Sequence, residues 1–416
     1  MPPSLTILCE IKISQKRKIL RKLRMTVMGE DDSIGEDDSI GEDDSPGVAA
    51  RPYGRTAFAR FRINIKQVVI MQKIQLGATG LAVTKTSLGC LPLQRRTVVD
   101  AADILKKAYD AGINYYDTAR AYTDSEFKIG AAFTPEMRKN VFIATKTQSV
   151  GARGFWADLA ASLKNLNTDY IDVYQFHNPG FVPRPGGADG LYDAALEAKR
   201  QGKIRFIGIT NHRIAAAEEA AKSGLYDTLQ YPFSCLAGER DAALVKLCGD
   251  NGVGFIAMKS LSGGLIVNAR AAFAYMAQFE NVVPIWGVQW MRELDEFIEL
   301  SKNPPVLDDE LESAIEADRR ALSGEFCRGC GYCMPCPQGI ELNMAARIYF
   351  FITRSPYKYH ISPAYQKEMA KVETCTRCGA YRAKCPYGLD TPELIRRQYA
   401  LYKQFVREHI DEIEEG

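Results

Sequence analysis

Residues 98–122 read VVDAADILKKAYDAGINYYDTARAY, and this stretch decides the fold. Val98, Ala101, Ala102, Leu105, Ala108 and Tyr109 recur at the spacing of one helical face, so its first half predicts an amphipathic helix. After Gly112 the texture changes, and INYYD at 113–117 reads as a short strand ending on a carboxylate. The same alternation repeats along the chain, with strands predicted at about 84–89, 113–117, 140–146, 170–176, 204–210, 226–231, 253–258 and 281–286. Eight strands alternating with helices fit an α/β (β/α)8 TIM barrel better than an open doubly wound sheet. No Gly-x-Gly-x-x-Gly follows the first strand, which weakens a dinucleotide-fold reading. Ahead of that strand, LGATGLAVT at 76–84 predicts a hairpin turning at Gly77 to Gly80.

The composition sets the outer limits. A chain of 416 residues with 46% hydrophobic and 25% charged residues is globular, and no apolar run is long enough for a membrane span. Lys+Arg 53 against Asp+Glu 51 leaves a net charge of +2, so the balance offers no electrostatic case for nucleic acid or an anionic surface. The acidic repeat GEDDSIGEDDSIGEDDS at 29–45 has no hydrophobic period. Residues 1–70 are therefore expected to be a disordered extension, or a spurious one preceding a natural start at Met71. No charged start, long apolar centre and cleavage site follow in order at the N-terminus, so a cytoplasmic location is expected.

In a barrel of this kind chemistry sits at the C-terminal ends of the strands. The second predicted strand ends at Asp117, with Tyr122 five residues on; the third ends at Lys146 and the fourth at His177. Each residue alone has an ordinary structural explanation, as a cap, a rim charge or a core histidine. Four of them on successive strand ends predict acid catalysis on a carbonyl. The Lys146 ammonium, held by Asp117, is expected to lower the pKa of the Tyr122 phenol, while His177 hydrogen-bonds the substrate oxygen.

These residues resemble the aldo-keto reductases. LGATGLAVT, GINYYDTARAY, the strand ATK, the FH of YQFHN and KIRFIGITNH match that family's pattern in order and spacing over residues 71–302. The resemblance implies Asp117, Tyr122, Lys146 and His177 as catalytic residues and a nicotinamide cofactor. It implies that Thr210, Asn211 and Gln230 hold the carboxamide, with Met258 where an aromatic ring often stacks. Lys259, Ser260, Gly263 and Gly264 then match the loop along the pyrophosphate. The arginine usual for the adenosine 2′-phosphate falls on Glu293, beside Arg292. NADP(H) is the family expectation, and the carboxylate at 293 keeps NAD(H) open. His212, next to the nicotinamide-binding strand, is a further residue worth testing.

Seven of the 11 cysteines lie in one segment: Cys327, Cys330, Cys333 and Cys336 followed by Pro337, then Cys375 and Cys378, then Cys385 followed by Pro386. This spacing predicts ferredoxin-type [4Fe–4S] binding, although two Cys-x-x-Cys pairs also suit a zinc thiolate site. The segment resembles the iron–sulfur extension of one branch of the aldo-keto reductases. Crossed ligation assigns Cys327, Cys330, Cys333 and Cys385 to one cluster. Cys336, Cys375 and Cys378 then form an incomplete second set, because Tyr381 stands where its next cysteine belongs. Residues 303–326 read as a helical connector, and residues 327–416 as the cluster module with a terminal helix.

The expected function is an NAD(P)(H)-dependent oxidoreductase acting on a small carbonyl or alcohol, with an iron–sulfur module that either passes electrons to a redox partner protein or serves only to staple its small fold, and with neither nucleic acid nor membrane as partner. The rival readings are a cofactor-sensing regulatory protein and an electron-transfer subunit on a reductase scaffold.

Overall fold

The computed structural model describes residues 71–322, 326–354 and 357–413. The acidic repeat and the expectations for residues 1–70 lie outside these. Strands β1 (Lys73–Gln75) and β2 (Ala82–Thr84) form the antiparallel hairpin. Eight parallel strands then close into a barrel: β3 (Ser87–Gly89), β4 (Tyr115–Asp117), β5 (Phe142–Thr147), β6 (Ile171–His177), β7 (Ile204–Thr210), β8 (Thr228–Pro232), β9 (Gly254–Met258) and β10 (Val282–Gly287). β10 pairs with both β9 and β3, which completes the ring.

The barrel is filled from one end by the hairpin. Leu76, Leu81 and Val83 pack with Tyr115, Ala144, Val173, Ile256 and Val283 in the interior. Gly77 lies against β9 so tightly that a Cβ there would stand 2.3 Å from the Gly254 backbone nitrogen, and its φ of +55° is left-handed. A larger cluster, including Leu105, Ile143, Phe155, Leu159, Ile171 and Trp286, fills the space between the strands and their helices. With one end plugged, the other end of the strands is left for chemistry.

The segment expected as a helical connector contains a helix. Helix Asp309–Ala321 starts at Asp308, whose carboxylate accepts from the Leu311 nitrogen, and it buries Leu311 and Ile315 in the barrel's own core. Two apolar residues four apart give this otherwise polar helix a narrow stripe, enough to seat it on the barrel. The cysteine segment has a separate core containing Ile340, Ile348, Ile352 and Val372, closed by helix Thr391–Glu408. That helix begins at the Asp390 cap with Pro392 in its first turn, and it buries Leu394, Ile395, Tyr399, Tyr402 and Val406. Among the described residues no helix is long and apolar enough to cross a membrane.

Candidate active site

Strand register brings the predicted site residues to one end. Lys146 of β5 stands opposite Gln175 of β6, His177 opposite Thr210 of β7, and Thr210 opposite Gln230 of β8. The Lys146 ammonium donates to Asp117 Oδ1 at 2.6 Å and to the Thr118 carbonyl at 2.5 Å. The Gln175 amide donates to Asp117 Oδ2 at 3.3 Å and to Gln230 Oε1 at 2.9 Å, and Gln230 donates to Asp117 Oδ1 at 3.4 Å. Burial raises the Asp117 carboxyl pKa and lowers that of the Lys146 ammonium. Their contact opposes both shifts, and the glutamine hydrogen bonds further favour the carboxylate.

Tyr122 and His177 complete the group. Their rings meet edge-on with centroids 5.8 Å apart, and Lys146 Nζ lies 5.1 Å from the Tyr122 ring centroid. The phenol pKa is raised rather than lowered, first by burial and then by the Asp117 charge. The expectation of an acidified phenol is corrected here: burial and the Asp117 charge outweigh the favourable field of the ammonium. Burial, reinforced by Lys146 and Lys259, pushes the His177 imidazole down to about 3, and its Nδ1 is buried without a hydrogen-bond partner. Thr123, Asn178 and Lys259, which follow Tyr122, His177 and Met258, all have positive φ, at 43°, 52° and 60°. Left-handed backbone after three site residues marks strain held in place by the surrounding structure.

The residues assigned to the cofactor are less free than their sequence pattern implies. The Asn178 backbone nitrogen donates to Thr210 Oγ1, Asn211 Nδ2 donates to the Pro179 carbonyl, and Asn211 Oδ1 accepts from the Arg213 nitrogen. Met258 is buried at the end of β9. Ser260 donates to the Ala257 carbonyl at 3.3 Å. Lys259 donates to the Arg328 carbonyl of the cysteine module at 2.8 Å, and Arg347 donates to the Gly263 carbonyl at 3.3 Å. Gly264 has a φ of +93° and open space where a Cβ would stand. Glu293 turns its carboxylate onto the backbone nitrogens of Gln289 (2.7 Å) and Trp290 (3.0 Å), capping helix Met291–Lys302.

Cys327, Cys330, Cys333 and Cys385 line one small cavity, the grouping that crossed ligation predicts. The Gly329 nitrogen donates to Cys327 Sγ at 3.3 Å, within a loop turned by left-handed Gly329 and Gly331. Among the described residues no three His, Cys, Asp or Glu side chains converge closely enough to share one metal ion. Four thiols standing around a cavity suit a polynuclear cluster better than a single zinc. Cys336 and Cys375 pack at the edge of the module core, and Cys378 is exposed. Tyr381 is buried, its hydroxyl 3.4 Å from Asp390 at the cap of the terminal helix.

Sequence reasoning missed the residues that join module to barrel. Tyr332, between two of the cysteines, meets His177 edge-on at 6.2 Å and His212 at 5.2 Å. His212 Nδ1 shares a 2.6 Å hydrogen bond with Tyr387. The Gly-Tyr-Cys run around Tyr332 was visible, but nothing local in it shows that the ring faces a histidine more than 100 residues away.

The family model described as Aldo/keto reductase family matches residues 73–302, and the model described as 4Fe-4S dicluster domain matches residues 326–390. The NADH-specific methylglyoxal reductase of Escherichia coli (strain K12) is 29% identical over 228 residues, covering 47% of this chain and 69% of that protein. The uncharacterized oxidoreductase YrpG of Bacillus subtilis (strain 168) is 30% identical over 226 residues, covering 47% and 68%. Among solved structures, the holo form of aldo-keto reductase AKR11C1 from Bacillus halodurans shares the fold, with a TM-score of 0.54 at 22% identity over 62% of this chain and 99% of that one.

The neutral His177 makes stability depend on pH. Its folded pKa of about 3 lies below the ordinary 6.5, so as pH falls through that window the unfolded chain takes up a proton that the folded chain refuses. Stability contributed by the neutral imidazole is therefore present above pH 6.5 and is lost toward pH 3. Lowering the pH from about 7 to about 4.5 should shift the urea midpoint less in His177→Gln than in wild type. Equal shifts would contradict a histidine held neutral in the folded chain.

Proposed function

Because this chain belongs to the aldo/keto reductase family and carries a C-terminal 4Fe-4S domain, we propose that it transfers a hydride between a nicotinamide dinucleotide and a carbonyl or alcohol carbon. The observation that carries this reading is the convergence of Asp117, Tyr122, Lys146 and His177 on one end of the barrel. The residues present fit the cofactor at that end, where the Asn211 and Gln230 amides and Met258 are buried and Gly264 leaves room for close approach to its backbone. A reduced nicotinamide, when bound, supplies the hydride.

The chain supplies the proton and the charge control. Burial keeps the Tyr122 phenol protonated, so it is available as an acid throughout the neutral range. As the new C–H bond forms and the carbonyl π bond breaks, the phenol gives its proton to the oxygen. The phenolate left behind is stabilised by the Lys146 ammonium, which Asp117 keeps charged and oriented. Neutral His177 orients the substrate oxygen without adding a positive charge. Glu293 favours NADH over NADPH, since a carboxylate fixed at that helix start repels a 2′-phosphate while Arg292 lies over the Trp290 ring at 5.5 Å.

We read the module as holding one [4Fe–4S] cluster on Cys327, Cys330, Cys333 and Cys385, which suits a reducing compartment. Such a cluster supplies single-electron transfer. A second reading, electron exchange between the mouth and an outside redox partner, is favoured by the bond between Lys259 and the Arg328 carbonyl, which ties the cluster loop to the strand ends.

Two measurements test these readings. With a panel of aldehydes, Tyr122→Phe should lose about 10²–10⁴-fold in kcat, and wild type should oxidise NADH faster than NADPH. Turnover unchanged in the mutant, or no carbonyl reduced at all, would leave a sensor or electron-transfer role instead. Anaerobically purified protein should hold about four irons per chain, retained in Cys375→Ser and lost in Cys385→Ser. About eight irons would overturn the single-cluster assignment.

A further inference from the structure

A cavity of about 220 Å³ opens beside His177. Barrel loops line it with Ser149, Val150, Phe176, Asn178 and Phe181, and the cysteine module contributes Tyr332. Val150 and Phe181 are 81% and 44% exposed and form an apolar rim at its opening. The same imidazole that lines the cavity meets the Tyr122 ring at 5.8 Å and the Tyr332 ring at 6.2 Å. A molecule in the cavity therefore lies against His177 and Tyr332, and Tyr122 stands beside the same imidazole.

Size and charge restrict what fits. An apolar cavity of about 150 Å³ accommodates benzene, so this one has room for a single ring carrying a short polar group. Its lining contains no Lys, Arg, Asp or Glu, and its polar side chains are neutral amides, hydroxyls and an imidazole. A carboxylate or phosphate entering it would lose hydration without gaining a cationic partner.

We propose that Tyr332 is a specificity-determining residue: the iron–sulfur module supplies one wall of the substrate pocket and limits it to compact, uncharged carbonyl compounds with a hydrophobic body. This rests on the reading of Tyr122 and His177 as the reacting site. It makes the module part of substrate recognition, separately from any electron transfer.

Benzyl alcohol and benzoate serve as probes in ligand-observed NMR titrations of the iron-loaded protein without nicotinamide. Wild type should bind benzyl alcohol and bind benzoate at least about tenfold more weakly. Tyr332→Ala should weaken benzyl alcohol at least about tenfold, while Tyr332→Phe, which keeps the wall, should stay within about twofold of wild type. Iron content and thermal midpoint are measured on each variant, and the Phe variant separates a lost wall from a disturbed module. Equal binding of benzyl alcohol by wild type and Tyr332→Ala, or benzoate binding as tight as benzyl alcohol, would overturn the proposal. Because no turnover is involved, Tyr332-dependent binding in a protein that reduces no carbonyl would uphold this pocket and refute the catalytic reading alone.

Discussion

A lysine buried at the centre of the barrel mouth has to be paired, and the arrangement of the site depends on how this one is. Lys146 is 1% exposed and its ammonium sits 2.6 Å from a carboxylate that is itself buried. Breaking such a pair from one side leaves an uncompensated charge, an effect of about 3–5 kcal/mol. The pair ties β4 to β5, and Gln175 and Gln230 extend the same network to β6 and β8. Strand closure and charge compensation thus fix the same residues, and Tyr122 and His177 inherit their positions from that frame.

The module depends on the same end of the barrel. Lys259 and Gly263, at the loop expected to follow the pyrophosphate, are bonded to Arg328 and Arg347, and Arg354 donates to the Leu265 carbonyl at 2.8 Å. His212, Tyr332 and Tyr387 form a cluster of rings between the two parts. Loop and cluster module therefore share hydrogen bonds, so a dinucleotide lying along this loop would meet the module as well as the barrel. This shared surface gives a physical reason for barrel and module to occur in one chain.

Much of this was legible in the sequence, for reasons that are local. Strands and helices announced themselves by period, the catalytic candidates stood at strand ends, and Cys327, Cys330, Cys333 and Cys385 were grouped by spacing. What escaped was non-local. That Leu311 and Ile315 seat the connector helix on the barrel does not show in so short a stripe on a polar helix. The direction of the Tyr122 shift depends on burial and on the Asp117 charge, which no spacing reveals. Tyr332 lies 155 positions from His177, and only the folded chain brings them together.

The central claim is that the half-buried acid at Tyr122 works with a hydride delivered to the same mouth. Its most direct test is a single turnover of an aldehyde with NADH carrying deuterium at both C4 positions of the reduced ring, the alcohol product being analysed by mass spectrometry. The account predicts deuterium bonded to the carbinol carbon. Alcohol formed without label at that carbon, or no alcohol formed while the cofactor is bound, would contradict it.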